Sequence, residues 1–480
     1  MCRRKKQGSE GRKDDGGDGG GGSSSSNPSF FRRNLFSVAT LLFAILIGII
    51  CKSLTLNLDR PIPIEAVPIW QTTELHWAVR YFVGYLFGKF VPVGHLTKCP
   101  TVVDWNNAQE AEEAKSCITP IRDILEQGDE PVDLSELFAV QDINIERSGD
   151  GDNSSVHVTL LKKNGSSSSS DATVISNDNS KAPLILYMHG GGFTVRGGKN
   201  TFAAQIFGYL HQIGEQDDDV NESEHSFIDD AVWAIVDYRL APEHLYPAAT
   251  EDCLLVLNHL VRDMNLGLGG IHISGISAGG TLAMEVTLKS LDLGIDSFYV
   301  DEPMVPLPSK DSNQRSWKLD SGSYRRYSYT RLPPVDWVEW SLKAMTGMET
   351  DHDVESSIPH GMITTDVDIT GGSIDAAKWK RSFDESNSTM LPRLFLVAAN
   401  GDPLKDGGLY FKHIYEEVIE QVEADAPSNT ERQPQIKYVE SSSGHTLHYI
   451  FEKHVFEDSM KEWYAEMKKA HRRKLLQNDL

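Results

Sequence analysis

From about residue 136 to residue 475, short apolar runs alternate with longer stretches of helical periodicity, and this alternation constrains the fold most. Pro183–His189 (PLILYMH), Val232–Asp237, Ile271–Ser274 and Leu394–Ala399 (LFLVAA) are continuously apolar or nearly so. A strand with one wet face alternates polar and apolar residues, so these runs predict strands buried on both faces. Val140–Arg147, Val156–Lys162 and Gln435–Glu440 read as further strands. Helical stretches are expected at Ala203–Gly214, Ala249–Met264, Ala278–Ser290, Leu409–Glu423 and Phe456–Lys474. Strand and helix in turn predict an α/β protein, with a mostly parallel sheet covered by helices on both faces. Polar runs at 165–171 and 215–230 read as surface loops. Residues 301–390 are irregular and rich in Trp, Tyr and Pro, and are expected to form a lid insertion in a domain spanning 136–475.

The N-terminal part has a different character. Residues 1–34 are rich in Gly and Ser and hold eight Lys or Arg against four acids. They offer too little apolar surface to offset chain entropy, so a disordered tail is expected. The rest of the chain carries 38 basic against 65 acidic residues, within a total charge of −23, and nucleic acid is not expected as a partner. Leu35 to Cys51 is uncharged over seventeen residues and is flanked by Arg32 and Arg33 before and Lys52 after. That pattern predicts a transmembrane signal anchor over 35–52, with the tail in the cytosol and the remainder across the membrane. Sequons at Asn153, Asn164, Asn221 and Asn387 fit a lumenal, glycosylated body in the endoplasmic reticulum. Residues 53–135 read as a helical cap or linker. Within them Glu74–Phe90 fits a core helix and a cap or membrane-facing surface equally well. Of five cysteines, Cys99 and Cys117 could pair in an oxidising compartment or stay free.

Two motifs carry chemistry. Gly275-Ile276-Ser277-Ala278-Gly279 follows the run Ile271–Ser274 and opens a helical stretch. A tight strand-to-helix turn of this type projects the Ser277 oxygen outward, and the small flanking residues permit the turn. His189-Gly190-Gly191-Gly192-Phe193 ends the PLILYMH strand. Its glycines let backbone N–H groups approach a ligand closely, as stabilisation of an oxyanion requires. No Lys-Ser/Thr pair follows them, which disfavours a phosphate loop, and no CxxC pair suggests zinc.

With DYRLAPEHLYPAA at 237–249 and DPLKDGG at 402–408, these motifs resemble the hormone-sensitive-lipase family of carboxylesterases in order and spacing, over about residues 136–465. The tail, single anchor and lumenal body are similar to the arylacetamide deacetylases and fungal steryl-acetate hydrolases. The resemblance implies an α/β-hydrolase fold with a mostly parallel eight-stranded sheet and a helical cap. It implies Ser277 as nucleophile, Gly191, Gly192 and Ala278 as oxyanion-hole donors, and His189, Gly190, Gly275 and Gly279 as motif residues. Asp402 would orient the catalytic histidine, with Asp406 as its rival. His445 would be that histidine, with His448 the alternative. Ile276 departs from the family's commoner aspartate at the elbow. Glu243 and His244 are expected to be scaffold residues. No metal or organic cofactor is implied. The implied substrate is a small hydrophobic ester such as an acetylated sterol or aryl acetate. A neutral-lipid lipase, an acyltransferase or a non-catalytic ligand-binding module are the alternatives.

Overall fold

The computed structural model of the chain describes residues 93–478 apart from 130–133, 148–153, 165–180, 218–225, 306–322, 324–332, 334, 348–366, 369–372, 375, 387, 389, 426–435 and 447. The tail 1–34, the apolar segment 35–52, the stretch Glu74–Phe90 and the sequons at Asn153, Asn221 and Asn387 lie outside the described residues. Among the described residues no helix is long and apolar enough to cross a membrane.

β3 (Leu184–Met188) is buried at every position, as its unbroken apolar sequence requires. It sits mid-sheet because both its faces must be covered. The sheet holds β1 (Phe138–Glu146), β2 (Ser155–Lys163), β4 (Val232–Asp237), β5 (Ile271–Ile276), β6 (Ser297–Asp301), β7 (Arg393–Ala399) and β8 (Lys437–Ser441) beside it. Their spatial order is β1-β2-β4-β3-β5-β6-β7-β8. β1 and β2 pair antiparallel, β2 runs antiparallel to β4, and every other pair is parallel. The polar-apolar alternation of β1 matches its place at the edge, where alternate residues meet solvent. β6 was not expected from the sequence.

Alternate strand residues feed two cores. Leu184, Leu186 and Met188 join Ile273, Phe298, Val300, Leu394 and Leu396 on one face. There α3 (Ala248–Asn258), α4 (Ala278–Lys289) and α7 (Lys405–Asp425) close over them. Ile185 and Tyr187 join Trp233, Ile235, Tyr299 and Phe395 on the other, under α2 (Lys199–Glu215) and α8 (Lys453–Asn478). Trp463 of α8 stacks on Tyr299 at 5.1 Å and donates from Nε1 to Ser297 Oγ at 2.9 Å. The helix expected to reach Met264 leaves α geometry at Asn258 and continues as one π turn over His259–Asp263. Two further helices, α5 (Val335–Thr346) and α6 (Ala376–Glu385), lie in the stretch read from sequence as irregular.

Ahead of the sheet runs α1 (Ala108–Asp129), and Cys117 within it is disulfide-bonded to Cys99. The reading that left these two thiols open is thereby resolved in favour of pairing. Cys99 also accepts a 2.8 Å hydrogen bond from Trp340 Nε1 of α5 through its carbonyl oxygen. From α1, Arg122 donates from Nε to the Thr194 carbonyl at 2.7 Å and from its NH2 group to the Ala241 carbonyl at 2.7 Å. The same guanidinium binds both oxygens of Glu243, at 2.5 and 2.8 Å. A bidentate fork of this type fixes geometry as well as charge. α1 thus clamps the loop that follows β3 to the turn that follows β4.

Candidate active site

Five loops leave the carboxyl ends of β3, β5, β6, β7 and β8, the edge at which open α/β sheets hold their ligands.

After β3, His189 is fully buried and stacks on Tyr238 at 4.2 Å, with its Nδ1 2.7 Å from the Gly190 carbonyl. Burial lowers its pKa to about 4, so the ring is neutral at physiological pH. Gly191 has φ +113° and Gly192 φ +60°. A Cβ at Gly191 would lie 2.0 Å from the Val195 carbonyl oxygen, so no other residue fits. A Cβ at Gly192 would meet Trp337 and Ser341 Oγ of α5 at 2.8 Å. One at Gly190 would sit 3.4 Å from Ser277 Cβ, which places the glycine loop directly beside the serine.

After β5, Ser277 holds φ 55° and ψ −119°, a conformation that non-glycine residues adopt only under strain. Hydrogen bonds to the neighbouring strand end hold it there. Its N–H donates to the Asp301 carbonyl at 2.8 Å, and its carbonyl accepts from Met304 N–H at 3.1 Å. The flanking glycines are required sterically, since a Cβ at Gly275 would lie 2.0 Å from Gly279 O and one at Gly279 2.1 Å from Met188 O. Ala278 is the first residue of α4, so its N–H belongs to the electropositive helix end beside Ser277.

After β7, buried Asp402 accepts from Leu404 N–H at 2.9 Å through Oδ1 and lies 2.7 Å from His445 Nδ1 through Oδ2. Asp406 instead accepts from Ser323 N–H at 2.8 Å. Of the two rival aspartates, the histidine therefore meets Asp402. After β8, His445 is held on a loop whose next residue, Thr446, has φ +55°. His448 is fully buried, with Nε2 3.2 Å from Asp301 Oδ2 and Nδ1 3.2 Å from Glu302 Oε1. Burial alone would lower the pKa of both rings, but facing carboxylates outweigh it. Asp402 leads in raising His445 to about 9, and Asp301 with Glu302 raises His448 to about 10.

Outside this edge, the motif at 237–249 forms scaffold contacts. Asp237 pairs with Arg196, Tyr238 donates to the His189 carbonyl at 2.7 Å, and Arg239 pairs with Asp252 at 3.0 Å. The carboxylates of Asp301 and Glu302 with His448, and of Glu302 and Asp402 with His445, form two clusters whose polar atoms fall within 4.8 Å of one another. A cation could bridge either span, but the imidazoles already face the carboxylates and all these groups are buried, which favours ion pairing over metal ligation.

The sequence pattern of a family described by its α/β-hydrolase fold matches residues 224–430, a stretch that includes the Ser277 turn, β6, β7 and Asp402. Over that stretch the chain is similar to this α/β-hydrolase family. Relatives of this α/β-hydrolase include Esterase LipI of Mycobacterium tuberculosis, 38% identical over 120 residues, covering 24% of this chain and 32% of that protein. Carboxylesterase NlhH of the same organism is 26% identical over 243 residues, covering 48% of this chain and 60% of that protein. The 3-O-acetylpapaveroxine carboxylesterase CXE2 of Papaver somniferum is 27% identical over 193 residues, covering 36% of this chain and 54% of that protein. The chain thus spans between about a third and three fifths of these relatives' lengths.

Sequence reasoning missed two site groups of this α/β-hydrolase, Asp301 and Glu302. Both follow from β6, and without that strand nothing placed them at the site. The available signal was local: an acidic pair ending the apolar run FYV, just before Pro303.

Proposed function

We propose that this chain is a serine carboxylesterase that hydrolyses short-chain, chiefly acetyl, esters of hydrophobic alcohols. One observation carries the reading. A strained serine, a glycine loop beside it and a histidine–aspartate pair all leave the same edge of one sheet. In this reading His445 takes the hydroxyl proton of Ser277 as the oxygen attacks the ester carbonyl. The N–H groups of Gly191, Gly192 and Ala278 receive the oxyanion. Collapse of the tetrahedral intermediate breaks the ester C–O bond, and the alcohol leaves with the proton from His445. Water then attacks the acyl-enzyme with His445 again as base, releasing the acid and restoring Ser277.

Preference for a short acyl group is our reading of the close quarters at the glycine loop, where a Cβ added at Gly192 would meet Trp337 and Ser341 Oγ at 2.8 Å. Initial rates on p-nitrophenyl acetate and p-nitrophenyl palmitate test it. At least tenfold higher kcat/KM on acetate is expected, roughly 1.4 kcal/mol of discrimination. A preference for palmitate would point to a neutral-lipid lipase instead. Acyl transfer in preference to hydrolysis when an acceptor alcohol is added would point to an acyltransferase.

We place the catalytic body in the lumen of the endoplasmic reticulum, held by the apolar segment 35–52. Arg32 and Arg33 before that segment, the four sequons and the Cys99–Cys117 disulfide support this topology. Treating the protein made in eukaryotic cells with an N-glycosidase is expected to lower its apparent mass. An unchanged band would count against a lumenal body.

A further inference from the structure

We propose that Glu302 is a positioning residue for His445: a second carboxylate that, with His448 as its counter-charge, holds the imidazole and its loop in place. The inference rests on the esterase reading and deepens it.

Glu302 follows β6 with φ +45°, a strained backbone for a glutamate, and its side chain is fully buried. The strain is maintained by its contacts. Its N–H donates to the Val397 carbonyl at 2.9 Å. Its Oε2 accepts a short hydrogen bond from Thr446 N–H and lies 3.2 Å from His445 Nδ1. Its Oε1 lies 3.2 Å from His448 Nδ1. One side chain therefore touches three residues that follow β8, His445, Thr446 and His448, and Thr446 is itself at positive φ. Strained residues facing one another persist only where surrounding structure over-determines them, and functional sites are where they cluster.

Geometry separates the two carboxylates. The single proton on His445 Nδ1 points to Asp402, which is closer at 2.7 Å, so Glu302 acts beside that bond and not through it. Its second partner explains how a further buried negative charge is tolerated. His448 lies between Glu302 and Asp301, and Asp301 also accepts from Tyr449 Oη at 2.5 Å. Three carboxylates, Asp301, Glu302 and Asp402, thus face two imidazoles, His445 and His448, in a dry setting. Burial raises the pKa of Glu302, with the two imidazoles opposing it. An uncompensated charge there would be costly, so the groups are bound to titrate together.

The test depends on sign. His445 must lose its proton to act as base, so the acid limb of the kcat/KM–pH profile reports on it. In Glu302→Gln a nearby negative charge is removed, and the limb should move to lower pH by about 1 to 3 units. In His448→Gln the counter-charge is removed instead, and the limb should move to higher pH. Misplacement of the base should lower kcat of Glu302→Gln by about 10²-fold, with KM little changed. A purely structural role would reduce stability and leave the limb in place. Folded variants whose limbs stay unmoved, or both move the same way, overturn the proposal. If neither variant folds, [13Cε1]histidine NMR of the unaltered full chain decides. The imidazolium signals of His445 and His448 are expected to persist past pH 8, and loss of both below pH 7.5 overturns the proposal. Should the unaltered protein hydrolyse no ester, the esterase reading fails, and the same NMR titration still decides the charge network.

Discussion

Ser277→Ala is expected to lower kcat for ester hydrolysis by about 10⁶-fold and to abolish covalent labelling by a fluorophosphonate. The size of the effect follows from what the alanine leaves. The glycine loop and the helix end at Ala278 would still bind a substrate carbonyl, and such sites alone retain roughly 10³- to 10⁴-fold catalysis over water. What disappears is the covalent step. Alanine must also adopt the φ 55° of the elbow, but hydrogen bonds from Ser277 N–H to Asp301 and from Met304 to the Ser277 carbonyl involve only backbone, so the turn should survive. A fluorophosphonate reads the nucleophile without reference to any natural substrate. Full labelling of the Ser277→Ala protein would remove the basis of the esterase reading.

The second large effect is expected at Asp402. Asp402→Asn should lower kcat about 10⁴-fold while the fold is kept. Asp402 is fully buried and accepts at both oxygens, from Leu404 N–H and from His445 Nδ1. An asparagine keeps the shape and replaces one acceptor with a donor. If its amide faces His445, the ring must present a bare Nδ1 and carry its proton on Nε2, the wrong tautomer for a base. Asp406→Asn is the matched control, because Asp406 binds Ser323 N–H and not the histidine, and less than a tenfold loss is expected there. Circular dichroism on both variants would show whether the fold is kept. Equal losses at the two positions would count against Asp402 as the orienting acid.

The parts of this structure that were legible in the sequence are those whose requirement is local. β3, β4, β5 and β7 are buried on both faces, so their residues are mostly apolar, and their ends agree with the reading within a residue or two. The serine turn and glycine loop were legible for a related reason: their geometry admits almost no side chain at Gly191, Gly275 or Gly279. β6 failed the same test because polar residues at both ends leave only the short apolar run Phe298–Val300. Ser297 and Asp301 are buried against partners from distant parts of the chain: Ser297 meets His272 and Trp463, and Asp301 meets His448 and Tyr449. No local pattern announces such a partner. The same holds for Glu302, for the choice between Asp402 and Asp406, and for the different contacts of His445 and His448. All of these depend on which loops the sheet order brings together. Helical periodicity also does not distinguish an α-helix from one that ends in a π turn, which is why α3 was read as extending to Met264.

The clamp formed by α1 also bears on the order in which the protein is made. Arg122 leaves the ribosome 72 residues ahead of Thr194 and 121 residues ahead of Glu243, the groups it ties together. Of the described helices longer than one turn, α1 therefore comes first in the chain and must wait for partners not yet translated. Its link to Cys99 spans only 18 residues and can form early, before any strand of the sheet exists. Oxidation would then deliver to the growing chain a prefolded brace, ready to seat the glycine loop when β3 and β4 arrive.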